Sequence, residues 1–243
     1  MAGKLIECVP NFSEGRRQDV IESIAANFRG VKGCSILDYR ADADHNRLVV
    51  SLAGEPEAVA DALLRAAKTA MAAIDMNTHQ GAHPRIGAVD VIPFTPIRGI
   101  SMEECVALSH AFGERYFAEL GIPVYFYEES AKRPERKRLE VIRKGQYEVL
   151  KVESVTPERR PDVGGPSLHP TAGATVIGAR QFLVAFNVNL NTADEEIAKK
   201  IGTFVRASSG GFCHVKGMGV ALSERGMTQV SMNIVDYQKN ALY

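Results

Sequence analysis

The 243-residue chain contains no tryptophan, and aromatic residues make up only 7% of it. It also lacks an excess of charge of either sign, with 29 basic and 29 acidic side chains. Such a balance gives no general attraction to nucleic acid or to an anionic membrane surface, so neither is expected as a partner. No apolar run approaches the roughly 20 residues of a membrane-spanning helix. The apolar part of the N-terminal MAGKLIECVP is too short for a signal peptide. The four cysteines, Cys8, Cys34, Cys105 and Cys213, form no CxxC pair, which speaks against a zinc ribbon or a thioredoxin-type centre. Reduced thiols and a cytoplasmic location are the resulting expectation. There is no P-loop, and KGMGVAL lacks the third glycine of a dinucleotide fingerprint. What is present is ordinary for a folded chain: 45% hydrophobic and 24% charged residues, enough core for one large or two small domains.

Hydrophobic periodicity then orders the elements. KLIECV reads as a strand stopped by Pro10, and NFSEG as a turn. Val20, Ile21, Ile24, Ala25 and Phe28 recur at helical spacing and predict a helix over residues 17–28. CSILDY and NRLVVSLAG are strands on either side of the polar loop RADADH. Residues 55–76 form a long helix with Pro56 in its first turn. IGAVDVIPF is the next strand, and Ser101 with Glu104 gives a capping-box pattern before a helix over residues 102–120. PVYFYEE is a strand, and the basic segment 132–144 is expected to be a helix. The opening order β-α-β-β-α-β is that of the split βαβ, ferredoxin-like fold. A loop rich in Pro and Gly, TPERRPDVGGPSLHPTAGAT, is expected to separate the two halves. FLVAFNVNL, a helix capped by Thr192 and Glu195, VKGMGVALSE and TQVSMNIVDY then repeat the order β-α-β-β.

The residues able to carry chemistry cluster around GAHPRIGAVDV. Pro84 biases His83 to an extended backbone, and Gly81 and Gly87 permit close approach. An ordinary histidine titrates near neutral pH and can move a proton in either direction. A histidine satisfied in a turn is the competing reading. His79 and His83 stand four apart, but Gly81 and Pro84 argue against a helix that would let them share a metal, and there is no HExxH, so no metal is expected. The loop DADHNR, with Asp44 and Arg47, sits before a strand and suits a polar substrate or a solvated hairpin. Asn187 and Asn189 alternate with Val188 and Leu190, as Ser231 and Asn233 do with Met232 and Ile234. Each strand should therefore present a polar face, to a wet cavity or to solvent. The basic segment offers an anion a landing surface, or is a solvated face. GGPSLHPTAGAT could cradle a planar ligand, or be a linker.

Taken together, LIECVPNFSEG, DADHNR, GAHPRIGAVDVIPF, IPVYFYEE, PDVGGPSLHPTAGATVIGARQFLVAFNVNL and QVSMNIVDY resemble the formiminotransferase family, in family order along the whole chain. The resemblance implies an α+β fold of two ferredoxin-like subdomains, here residues 1–181 and 182–243. It implies transfer of a formimino group from N-formimino-L-glutamate to tetrahydrofolate, a co-substrate, in histidine breakdown, with no metal. The family's catalytic histidine corresponds to His83. Its folate-contacting loop corresponds to Val163, Gly164, Gly165, Pro166, Ser167, Leu168, His169, Pro170, Thr171 and Ala172. Arg47 and Arg85 are expected to hold substrate carboxylates, since guanidinium forks match them, with Asp44 and Asn187 as further substrate contacts. Two departures stand out. Val163 replaces a residue that is often Phe in the family. The second subdomain also lacks the helix and strand that would finish it after VDY, so it is expected to be incomplete and to be completed by a homodimer partner or another chain. Alternatives are a glycine formimidoyltransferase, or a folate-binding chain inactive on its own.

Overall fold

The computed structural model describes residues 3–222, 225–237 and 239–240. The chain divides into two compact units, Met1–Arg180 and Gln181–Tyr243. Both mix helices with sheet.

Unit 1 opens with β1 (Leu5–Cys8) and β2 (Asn11–Phe12), one strand broken at Pro10. Proline has no N–H for the ladder, yet its carbonyl still accepts from Val50 N–H at 3.1 Å. Helix α1 (Gln18–Ala26) buries Val20, Ile21, Ile24 and Ala25. Strands β3 (Cys34–Asp42) and β4 (Arg47–Gly54) follow, the latter alternating buried and half-buried residues along its length. Helix α2 (Pro56–Ala73) begins on Pro56, where a missing N–H costs nothing, and buries Val59, Leu63, Ala66 and Ala70. Strand β5 (Val89–Arg98) leads to α3 (Met102–Leu120). The Ser101–Glu104 capping box is formed, and Gly121 ends the helix in the left-handed region at φ 68°.

The sheet order is β3-β4-β1/β2-β5, all antiparallel neighbours. Beyond β5 the sheet turns parallel, through β7 (Thr175–Ala179) to β6 (Val124–Glu128). The parallel part is covered on both faces, as such sheets are. The main core, including Phe94, Phe112 and Tyr116, lies under α1, α2 and α3. A smaller cluster of Val91, Tyr125, Tyr127, Ile142 and Leu150 sits opposite, beneath α4 (Leu139–Ile142) and α5 (Gln146–Glu153).

Three sequence expectations are corrected. The basic segment 132–144 is not one helix but a 3-10 turn, Pro134–Lys137, and the single turn α4, with Arg138 extended between them. Arg136 turns inward to pair with Asp162 at 2.6 Å, and its Nη2 donates to the Arg160 carbonyl at 2.6 Å. Tertiary contacts thus override local helix propensity. The Pro/Gly-rich loop does not separate the halves. It lies inside unit 1 and delivers β7 between β5 and β6. In unit 2 the helix cap is Asp194, not the Thr192–Glu195 pair. Its carboxylate accepts from Glu196 N–H, and Thr192 Oγ1 accepts from Asp194 N–H.

Unit 2 is a three-stranded antiparallel sheet in the order β8-β10-β9, made of β8 (Val184–Leu190), β9 (Val215–Leu222) and β10 (Met227–Ile234). Helix α6 (Glu195–Val205) packs on β9 and β10. The approach is so close that a Cβ on Gly219 would meet Lys199 N at 2.3 Å.

Candidate active site

Four segments of unit 1 meet at one end of its sheet: the turn after β2, the β3–β4 loop, the residues before β5, and the junction of α4 and α5. The first three, with the start of β5, line a cavity of about 10 Å³ that includes Ser13, His45, Arg47, His83, Arg85 and Asp90. That space is close to one water molecule.

His83 is held there by its neighbours. Ala82 N–H donates to the Asp44 carbonyl at 3.1 Å. A Cβ on Gly81 would lie 2.3 Å from the His45 carbonyl, so only glycine lets the His83 segment touch the β3–β4 loop. On the far side, a Cβ on Gly87 would lie 2.0 Å from the Ala174 carbonyl. The His45 ring meets the His83 ring edge-on, centroids 6.1 Å apart. Asp42 Oδ1 orients His45, accepting its backbone N–H at 2.8 Å and lying 3.3 Å from its Nδ1. Ser13 bonds back to the strand entrance, its Oγ donating to the Gly87 carbonyl at 2.7 Å.

The electrostatics differ from those of an ordinary histidine. Burial, then the Arg47 and Arg143 guanidiniums and His45, push His83 down to about 2, against a weaker opposing pull from the Pro84 backbone. His83 is therefore held neutral, with a low affinity for a proton. The sequence expectation of a histidine titrating near neutrality does not hold for this isolated site.

The two predicted carboxylate-binding arginines part company. Arg85 is fully engaged. It pairs with Glu148 at 2.6 and 2.8 Å, and donates to Gln146 at 3.0 Å, to His79 Nδ1 at 3.1 Å and to the His79 carbonyl at 2.9 Å. His79 in turn uses its other nitrogen on the Asn46 carbonyl at 3.1 Å, so both ring nitrogens are occupied. Arg85 is thus a buried brace joining His79 to α5. Arg47 donates to Asn11 Oδ1, while its buried Nε has no partner. Burial, followed by the nearby Arg143 charge, lowers Arg47 to about 10, so it remains cationic at neutral pH.

Asp44 reaches the site through its backbone carbonyl. Asn187 lies in unit 2, exposed on β8 and directly opposite Ser231 on β10. The predicted ligand loop begins and ends in the core. Val163 and Ala172 are buried, Val163 exchanging backbone bonds with Val124 and Ala172 accepting from Ala88 N–H at 2.9 Å. These two anchor the loop, while Gly165, Pro166, Ser167 and Pro170 are exposed. Gly164 and Gly165 take φ values of +74° and +95°, which disfavour a side chain. His169 Nδ1 accepts from Ala172 N–H at 3.0 Å and Thr171 N–H at 3.3 Å, which leaves its proton on Nε2. The end of the loop is stitched to the chain just after His83, with Ala174 N–H on the Ile86 carbonyl at 3.1 Å. Among the described residues no three His, Cys, Asp or Glu side chains gather as a metal-binding group, and no helix is long and apolar enough to cross a membrane.

Sequence reading passed over Ser13, Asn11, Asp90 and Glu148, and took in Arg143 only as part of the basic segment. Asp90 carried a signal: it is a lone carboxylate inside an apolar strand, and such a group is buried only when paired. Its partner is Arg143, and Asp90 Oδ1 also accepts from Ile86 N–H at 2.9 Å.

A buried imidazole thus lies among guanidiniums on an α+β frame. Comparison with known proteins agrees with an enzyme. Residues 5–180 match the N-terminal subdomain of the formiminotransferase domain, and residues 185–243 match the formiminotransferase domain. Glutamate formimidoyltransferase of Streptococcus pyogenes serotype M1 is 47% identical over 240 residues, covering 99% of this chain and 80% of that protein. The enzyme of the same name from Thermoplasma acidophilum is 47% identical, covering 98% of this chain and 79% of its own length. Formimidoyltransferase-cyclodeaminase of Gallus gallus is 45% identical over 99% of this chain, which spans 45% of that longer protein. The chain belongs to the formiminotransferase family, and is a transferase.

Proposed function

We propose that this chain transfers the formimino group of N-formimino-L-glutamate to a nitrogen of tetrahydrofolate, in the breakdown of histidine, with His83 as the proton-transfer residue. The observation that carries the reading is His83 itself, a buried neutral base in a cavity with Arg47, in a chain 47% identical to glutamate formimidoyltransferases. The folate nitrogen attacks the amidine carbon, forming a new C–N bond and a tetrahedral intermediate. His83 takes the proton released by the attacking nitrogen. The intermediate collapses by breaking the bond to the glutamate nitrogen, and His83 returns the proton to that amine. A neutral imidazole has a free lone pair for that proton, and holding both substrates in register supplies much of the rate.

The loop 163–172 is the folate contact in this proposal, its exposed middle presented by buried ends. The strand order β3-β4-β1/β2-β5 supports a ferredoxin-like frame for unit 1. The cysteines are unpaired, which fits a reducing cytoplasm.

His83→Ala should lower turnover about 100- to 10,000-fold, the usual cost of losing general acid–base catalysis, with tetrahydrofolate affinity nearly unchanged. Steady-state kinetics beside calorimetric titration with folinic acid would check this. A variant turning over at near wild-type rate would remove His83 from the mechanism. Comparing kcat/KM for formiminoglutamate and formiminoglycine fixes the donor.

A further inference from the structure

The pocket around His83 holds more buried positive charge than it neutralises. Arg85 is matched by Glu148. Arg143 and Arg47 share one buried carboxylate, Asp90, whose side chain is 3% exposed and which is ion-paired to Arg143. The other acid acting on Arg47, Asp42, is 45% exposed and oriented on His45, so water screens it. Two guanidiniums thus act on one buried carboxylate, an arrangement that costs stability unless a further anion is supplied. The hydrogen bonds tell the same story. Nε of Arg47 and Nε of Arg143 are both buried and both lack an acceptor among the described residues. Buried donors are rarely left unpaired, and here two occur on cations that act on each other and on His83.

We propose that Arg143, acting with Arg47, seats a carboxylate of the formimino donor beside His83. Arg143 is thereby a specificity-determining residue, in the role the sequence suggested for Arg85. The inference rests on the donor reading above. A carboxylate is the group that guanidinium N–H donors match in geometry and charge, and the cavity of about 10 Å³ beside His83 and Arg47 is far too small for a ring system.

The seat has a chemical consequence. The groups facing His83 are Arg47 from β4, Arg143 from the end of α4, His45 from the β3–β4 loop and the Pro84 backbone. An anion placed between the two arginines offsets their charges, which add to burial in holding His83 neutral. The donor's own carboxylate would then raise the proton affinity of His83, so that it can carry the proton to the leaving amine.

The test uses glutarate as a non-reacting probe, its uncharged analogue glutaramide, and the full chain. Glutarate should bind, and the His83 ring resonances should show their protonation midpoint moving up toward the ordinary histidine range. Glutaramide should do neither. Arg143→Lys keeps the charge but loses the fork, and should weaken glutarate about tenfold. Arg143→Gln combined with Asp90→Asn removes both members of the pair while keeping the acceptor for Ile86 N–H. It should weaken glutarate roughly 10- to 100-fold with an unchanged circular dichroism spectrum. Equal binding of glutaramide, or wild-type glutarate affinity in both Arg143 variants, overturns the proposal. Because binding and His83 titration are read without turnover, a chain inactive on formiminoglutamate that still shows both responses would fail the functional reading and keep the seat.

Discussion

The two units share a strand pattern and differ in what surrounds it. Unit 1 contains the run β1/β2-β4-β3, and unit 2 contains β8-β10-β9, in each case the first strand, then the third, then the second. In unit 1 the other side of the first strand is taken by β5, and α2 and α3 spread across the sheet face. Among the described residues of unit 2, α6 lies on β9 and β10. Phe186 and Val188 of β8 stay exposed, as do Ile197, Ile201 and Phe204 of α6. The buried apolar side chains of unit 2 are Ala198, Val215, Leu222, Val230 and Ile234, whereas unit 1 buries whole aromatic rings, Phe12, Phe94, Tyr116 and Phe126 among them. The candidate site thus lies in the unit with the larger buried core.

Three measurements would break or sharpen that contrast. The largest effect is expected in the core. Phe94 is fully buried and meets Phe112 edge-on at 5.4 Å, so Phe94→Ala should cost about 3–5 kcal/mol in urea unfolding. Phe204→Ala, at a ring 79% exposed, should change stability by less than about 0.5 kcal/mol. Equal costs would mean that Phe204 is covered in solution. Next comes the helix seat of unit 2. Gly219→Ala drives a methyl into the α6 backbone and should cost about 1–3 kcal/mol. Hydrogen exchange should speed up in α6, β9 and β10 while unit 1 stays protected, and uniform loss of protection would show the units unfolding as one.

Last comes the pH dependence, up to about 2 kcal/mol between pH 7 and 5. His83 sits near 2 in the folded chain against an ordinary 6.5. Between those values the unfolded chain binds a proton that the native one refuses. Stability is therefore full above about 6.5 and falls as pH drops toward 2, by up to about 1.4 kcal/mol per pH unit. His83→Gln should flatten this acid limb, checked by urea midpoints at pH 7, 6 and 5. His79 and His169, both lowered mainly by burial, add to the same limb and should leave a residual slope.

Local chemistry was legible from the residues alone. The start and stop of α3 could be read because Ser101, Glu104 and Gly121 act on a backbone within a few residues of themselves. The alternation of β4 and the helical spacing of α1 and α2 were readable for the same reason, as was the singling out of His83 between glycines that must touch other backbone. The motifs placed the chain in its family. What the tertiary structure alone decided was non-local. It spent Arg85 on Glu148, 63 residues away, and brought Arg143 to Asp90 across 53. It slipped β7 between β5 and β6. It also set the proton affinity of His83, because that depends on burial and on charges carried by β4 and by the end of α4. A sequence displays the charge of each side chain, but the field at a buried ring is a sum over distances, and only the fold sets those distances.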